Sequence, residues 1–122
     1  FPSAEFPGLN AIICEYLSPD HPPIHAACFG VPGPVHEGRA KPTNLSWGVD
    51  AAEIAGEFGI PRVSVLNDLE ANAHGISHLA VTDFAVIQRG APDARGNRCV
   101  VSPGTGLGEA GLFWDGYRHH VW

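Results

Sequence analysis

Between residues 5 and 80 the apolar residues alternate between helical spacing and short unbroken runs. Phe6, Leu9, Ile13 and Tyr16 recur at helical intervals, with Ile12 and Leu17 widening the stripe. That spacing predicts a helix over residues 5–17, ended by Ser18-Pro19. Ile24-His-Ala-Ala-Cys-Phe29 is a short apolar run that reads as a buried strand, and the Gly/Pro-rich stretch Gly30-Val-Pro-Gly-Pro34 reads as a loop. Residues 39–47 are expected to be extended, with Trp47 near their end. Asp50-Ala-Ala-Glu53 has capping-box spacing. Ala51, Ile54, Ala55 and Phe58 then form one helical face, and Gly59 stands where a C-terminal cap belongs. After Pro61, the β-rich Arg62-Val-Ser-Val-Leu66 reads as a strand. Asn67-Asp-Leu-Glu70 is a second capping box, and Leu69, Ala73, Ile76 and Ala80 carry the next helix. The order helix, strand, helix, strand, helix predicts an α/β fold with parallel strands, because only a crossover connection returns the chain to the same end of a sheet.

The tail has another rhythm. Phe84 to Gln88 reads as a strand, residues 90–97 as a polar loop and Arg98 to Ser102 as a strand. Gly104-Thr-Gly-Leu-Gly108 reads as a tight turn and residues 109–114 as a further strand. Asp115-Gly116 is a strong two-residue hairpin signal, so Tyr117 to Trp122 is expected to return antiparallel. The shift between residues 80 and 97 places a lobe boundary there. Residues 1–90 are expected in one lobe, and residues 97–122 are expected to open a second.

The 122 residues, 44% hydrophobic, suffice for one small core. The net charge is −6 and no Lys/Arg cluster stands out, so nothing suggests a phosphate-backbone partner such as nucleic acid. Cys14, Cys28 and Cys99 form no CxxC pair, and their apolar contexts predict buried free thiols in a reducing compartment. No apolar run has the length needed to cross a bilayer. The N-terminal Phe-Pro-Ser has no secretory pattern. The expectation is an internal piece of a longer cytoplasmic protein.

Two places can carry chemistry. Val100-Val-Ser-Pro-Gly-Thr-Gly-Leu-Gly108 puts glycines at alternate positions directly after a strand, and glycine lets backbone N–H groups turn toward an anion without a Cβ in the way. This is either a phosphate cradle or an ordinary hairpin turn. Gly106-Leu-Gly-Glu-Ala-Gly111 also fits GxGxxG, but a hairpin pattern follows where the dinucleotide fingerprint needs a helix. No Gly-Lys-Ser/Thr marks a P-loop. The second place is Asn67-Asp68, at the carboxyl end of a predicted strand, where open α/β sheets bind ligands. The alternative is a helix cap, with Asn67 as N-cap and Asp68 favoured by the helix dipole.

Four stretches together resemble the bacterial glucokinase family, within the wider hexokinase and actin-like ATPase superfamily. They are Phe29-Gly-Val-Pro-Gly-Pro34, Pro42-Thr-Asn-Leu-Ser-Trp47, Val65-Leu-Asn-Asp-Leu-Glu-Ala71 and Gly104-Thr-Gly-Leu-Gly108. The related ROK kinases share the Asn-Asp and Gly-Thr-Gly elements. The resemblance implies an RNase H-like, actin-like ATPase kinase fold of two lobes, incomplete here, with a mixed sheet, flanking helices and an antiparallel hairpin region. It implies ATP-dependent phosphorylation of a hexose, glucose first, with Mg²⁺ and with Asp68 as the base. Asp68, Asn67, Thr43, Asn44 and Gly33 match sugar-binding positions, and Gly104, Thr105, Gly106 and Gly108 match a phosphate motif. A homodimer is common in the family. The family's Asp-x-Gly-Gly-Thr-Asn motif, its Glu-Gly-Gly-His segment and its adenosine-binding part are absent from the sequence, so the 122 residues alone are expected to be inactive.

No metal site is expected. His74 and His78 are read as a solvated helix face, and His119-His120 as strand neighbours that point to opposite sides. Trp47, Trp114 and Trp122 are read as packing residues. The competing function is a ROK-like sugar-binding regulatory module that performs no transfer. Asp68 weighs against it, since binding alone needs no base.

Overall fold

The computed structural model describes every residue of the chain except Thr43 and Thr105. These residues form two compact units, Phe1–Asp68 and Leu69–Trp122.

In the first unit a single 3₁₀ turn, Ser3–Glu5, precedes α1, Leu9–Tyr16. The helix starts later than the apolar spacing predicts. Pro7 holds Phe6 extended (φ −103°, ψ 148°), as proline does to the residue before it, and Gly8 is extended as well. Strand β1 is Ala27–Val31, not residues 24–29. Its limits are set by its partner β5, Val63–Asn67, to which it pairs in parallel from Ala27 opposite Val63 to Val31 opposite Asn67. The parallel α/β expectation is thus borne out.

The connection between them holds a small sheet that the sequence did not announce. Strands β2 (Val35–His36), β3 (Arg39–Ala40) and β4 (Val49–Asp50) pair antiparallel in that order. Glu37 (φ 49°) and Gly38 (φ 74°) make the two-residue turn between β2 and β3, with the positive φ at both positions that such a turn needs. The extended stretch expected over residues 39–47 is therefore a short strand, followed by a turn that includes residues 44–47.

Asp50 then caps α2, Ala51–Phe58, accepting from Ala52 N at 2.8 Å and Glu53 N at 3.4 Å. Gly59, left-handed at φ 62°, closes it. Both ends were legible from cap chemistry. Ile54 is fully buried, and with Ile13, Val31, Ala40, Val49 and Val65 it forms the first core, against which Phe29, Trp47 and Phe58 pack.

Helix α3, Asp68–Ile76, follows β5 without a loop. It stops short of Ala80. The chain tightens into three-residue turns, with His78 N bonded to Gly75 O and Ser77 Oγ to His74 O. His78 is therefore not on the helix. Phe84 to Gln88 is not a strand; Val86 is 73% and Ile87 101% exposed. An apolar run becomes a strand only where another strand satisfies its backbone, and among the described residues none does so here.

Strands β6 (Arg98–Pro103), β7 (Leu107–Trp114) and β8 (His119–Val121) form an antiparallel sheet in sequence order. The turn between β7 and β8 lies one residue later than expected. Asp115 N donates to Arg118 O, and Gly116 (φ 103°) and Tyr117 are its centre. The Asp115 carboxylate fixes this register by accepting from Tyr117 N at 2.7 Å and Arg118 N at 2.8 Å. Ala73 of α3 packs with Ala110 and Leu112 of β7 in a second core, joined by Leu69, Val100 and Val121. Trp122 is 82% exposed, yet its indole covers Gly111, where a Cβ would collide with it.

The three cysteines are free but exposed, which corrects the expectation of burial. On β1 the reason is alternation: Ala27, Phe29 and Val31 turn inward, so Cys28 turns out. His119 and His120 do face apart. His119 Nε2 lies 3.0 Å from Gly96 O, and His120 Nε2 lies 2.6 Å from Asp115 Oδ2. Among the described residues no helix is long and apolar enough to cross a membrane.

Candidate active site

β1 and β5 end level, because Val31 lies opposite Asn67. The residues just beyond both strands therefore share one carboxyl edge, the place where open α/β sheets bind ligands. Gly33 stands two residues past β1, in a backbone conformation (φ 105°) that side chains disfavour. Asp68 stands one residue past β5 and opens α3. Asn67 Nδ2 donates to Gly33 O at 3.0 Å. Gly33, Asn67 and Asp68 are each half-buried. Three sequence-predicted residues are thus gathered at one edge, and a hydrogen bond joins two of them.

Asn44 is exposed, on the turn that follows fully buried Pro42. A cavity of about 300 Å³ is bounded by Val31 and Pro32 on one side and by Pro42, Leu45 and Trp47 on the other. The stretches 29–34 and 42–47 therefore share a cavity. Trp47 contributes to that wall and to the core, and its buried indole Nε1 has no hydrogen-bond partner among the described residues. Sequence reading gave it packing alone. Thr43, a further predicted sugar-side residue, lies outside the described residues.

In the second unit the glycine stretch joins β6 to β7. Ser102 pairs with Gly108 and Pro103 with Leu107, and Gly104 N donates to Gly106 O at 2.8 Å. Gly104 and Gly106 are exposed. Among the described residues, a Cβ on Gly106 would meet nothing within 4 Å, and one on Gly104 would meet Gly106 O at 3.9 Å. Gly108 is different, because a Cβ there would strike Leu69. The strand β7 that follows excludes the dinucleotide fingerprint, which requires a helix. Thr105 lies outside the described residues.

Two carboxylates are held below their ordinary range, both through local bonds. For Asp50 the cause is first the Arg39 guanidinium, 2.6 Å away, then the Ala52 N–H. For Asp115 it is first the Arg118 N–H, then His120, then the Tyr117 N–H. A cavity of about 430 Å³ bordered by Arg95, Arg98, Trp114, Tyr117 and His119 contains none of the predicted site residues. Among the described residues no three His, Cys, Asp or Glu side chains gather as a metal would require.

The first unit's parallel strand pair, whose second strand runs directly into a helix, and the second unit's antiparallel sheet, with a glycine turn between its first two strands, are elements of an incomplete α/β kinase fold. The comparisons with known proteins agree. The family model "Glucokinase" matches residues 1–122. A glucokinase of Nostoc punctiforme is 37% identical over 120 residues, which is 98% of this chain and 35% of that protein. A glucokinase of Saccharophagus degradans is 38% identical over 112 residues, 89% of this chain and 34% of that protein. The crystal structure of a glucokinase from an Antarctic psychrotroph superposes with a TM-score of 0.82 at 35% identity, over 99% of this chain and 38% of that one. The chain belongs to the glucokinase family. It spans about a third of the length of the curated relatives it matches.

Proposed function

We propose that the full-length protein transfers the γ-phosphoryl group of ATP to a hexose hydroxyl, with glucose the first candidate and glucose 6-phosphate the product. The observation that carries this reading is the shared carboxyl edge of β1 and β5, where Gly33, Asn67 and Asp68 stand together and Asn67 is bonded to Gly33. Asp68 accepts the proton of the attacking hydroxyl. Asn67 and Gly33 shape the sugar side, with Asn44 and Thr43 on the neighbouring stretch. The exposed backbone of Gly104 and Gly106, with Thr105, receives phosphate oxygens, while Gly108 leaves room for Leu69. Phosphoryl transfer asks a protein mainly for positioning and charge stabilisation, and these residue types supply both. Mg²⁺ is the metal the family implies; bound with the nucleotide it neutralises phosphate charge, and no described residue is assigned to it.

Residues 1–90 would belong to the sugar-binding lobe and residues 97–122 to the opening strands of the phosphate-binding lobe. A cytoplasmic homodimer, acting on sugar and ATP without nucleic-acid or membrane partners, completes the reading.

The test is an assay of the full-length protein for ATP-dependent phosphorylation over a panel of hexoses, beside Asp68→Asn. Removal of the proton acceptor is expected to lower turnover by ~10²-fold or more while sugar binding persists. A protein that binds a hexose and phosphorylates none is the regulatory module instead.

A further inference from the structure

Gly108 sits where a side chain cannot. A Cβ on it would stand 2.8 Å from Leu69 Cδ2, 2.9 Å from Cγ and 3.6 Å from Cδ1. Carbon atoms pack at roughly 3.5–4.0 Å. Cγ is the branch point of the leucine side chain, so rotating the chain's end does not clear it. The missing side chain of Gly108 is therefore the space that Leu69 fills. Leu69 follows Asp68 in the chain and lies in the first turn of α3, and it packs onto the cluster of Ala73, Ala110 and Leu112.

We propose that Leu69 is a positioning residue for phosphoryl transfer: seated on Gly108, it anchors the first turn of α3 and so limits the freedom of the Asp68 carboxylate one residue earlier. The proposal rests on Asp68 being the proton acceptor. It changes the meaning of the glycine pattern. Gly104 and Gly106 are bare toward solvent, as a phosphate turn needs, whereas Gly108 is bare toward a leucine. A base that wanders by an ångström loses much of its effect, so a packing contact next to it acts on turnover rather than on affinity.

The experiment uses the full-length protein and two cycles. In the first, Leu69→Ala is made alone and with Asp68→Asn. Leu69→Ala is expected to lower kcat for glucose by ~10-fold or more, with KM for glucose within ~2-fold of the unsubstituted value. With Asp68 already replaced it is expected to lower kcat no further. An equal loss in both backgrounds overturns the proposal, since a merely structural residue acts regardless of the base. Leu69→Val, which keeps most of the volume but shortens the reach to Gly108, is carried alongside and is expected to show the same non-additive pattern even where Leu69→Ala folds poorly.

The second cycle reads melting temperature and needs no activity. Gly108→Ala is expected to lower it in the unsubstituted protein and to have little effect beside Leu69→Ala. Equal losses in both backgrounds overturn the packing contact. An unsubstituted protein that phosphorylates no sugar overturns the kinase reading and Leu69's positioning role with it, while the melting cycle still reports the contact itself.

Discussion

Asn67 Nδ2 donates a 3.0 Å hydrogen bond to the carbonyl oxygen of Gly33, across 34 positions of sequence. It ties the loop after β1 to the end of β5, so a change at residue 67 acts on both segments. Asn67→Ala removes the donor. Asn67→Asp keeps the shape but turns a carboxylate oxygen toward a carbonyl. Losing a partner for a half-buried acceptor costs ~1–3 kcal/mol. Both variants are expected to unfold at lower urea, Asn67→Asp lowest, and to raise KM for glucose. Unchanged midpoints in both would show that the bond holds nothing in place.

Two glycines give opposite results on one scale. Gly33 has φ 105°, and a Cβ on it would approach nothing nearer than Lys41 O at 3.9 Å. Gly33→Ala therefore suffers from its backbone alone, at ~1–3 kcal/mol. Gly56 lies within α2, where a Cβ meets nothing within 4 Å and φ is ordinary. Gly56→Ala is expected to stabilise by ~0.5–1 kcal/mol, the difference between these residues inside a helix. Urea unfolding of the two variants side by side checks both signs.

What the sequence made legible was mostly local chemistry. Asp50 and Gly59 marked both ends of α2, the change of period at residue 67 marked the β5–α3 junction, and this placed Asn67 and Asp68 at the carboxyl edge. The sheet of β2, β3 and β4 escaped because two-residue strands have no period to read. Its turn also rests on a glutamate at positive φ, a residue that rarely signals one. Phe84 to Gln88 misled because a strand is a pairwise object and an apolar run shows only half of it. The Asn67–Gly33 bond and the Leu69–Gly108 contact are both tertiary: nothing near residue 33 announces residue 67, and a glycine does not say which neighbour needs its space.

Acid should loosen two surface turns together. The folded pKa values of Asp50 and Asp115 lie below their ordinary values, so the unfolded chain takes up protons first as pH falls. The stability these carboxylates contribute is complete above the unfolded value of roughly 3.9 and is lost as pH drops through the folded values. Urea midpoints are expected to hold from neutral pH to about 5 and then decline. Solvent screening keeps each contribution small, so the double variant Asp50→Asn/Asp115→Asn is the informative one. Asparagine still caps a helix, so α2 keeps its start while both charges go. The decline below pH 4 is expected to be shallower in that variant; an identical slope would assign acid sensitivity to other groups.

Gly104 and Gly106 separate a phosphate cradle from a hairpin turn. Among the described residues, a Cβ on either would have at least 3.9 Å of room. A turn that uses glycine only for its shape should therefore accept alanine at both positions with little change in stability, within about ±0.5 kcal/mol. A cradle that brings phosphate oxygens against bare backbone should not, because a methyl group stands in the anion's path. Gly106→Ala in the full-length protein is thus expected to leave the melting temperature nearly unchanged, to raise KM for ATP by ~10-fold or more, and to leave sugar affinity alone. Gly104→Ala should act in the same direction but less strongly, since the Gly104 N–H is already committed to Gly106 O. Full activity in both variants would make the stretch a hairpin turn and nothing more, and the nucleotide phosphates would have to be held elsewhere.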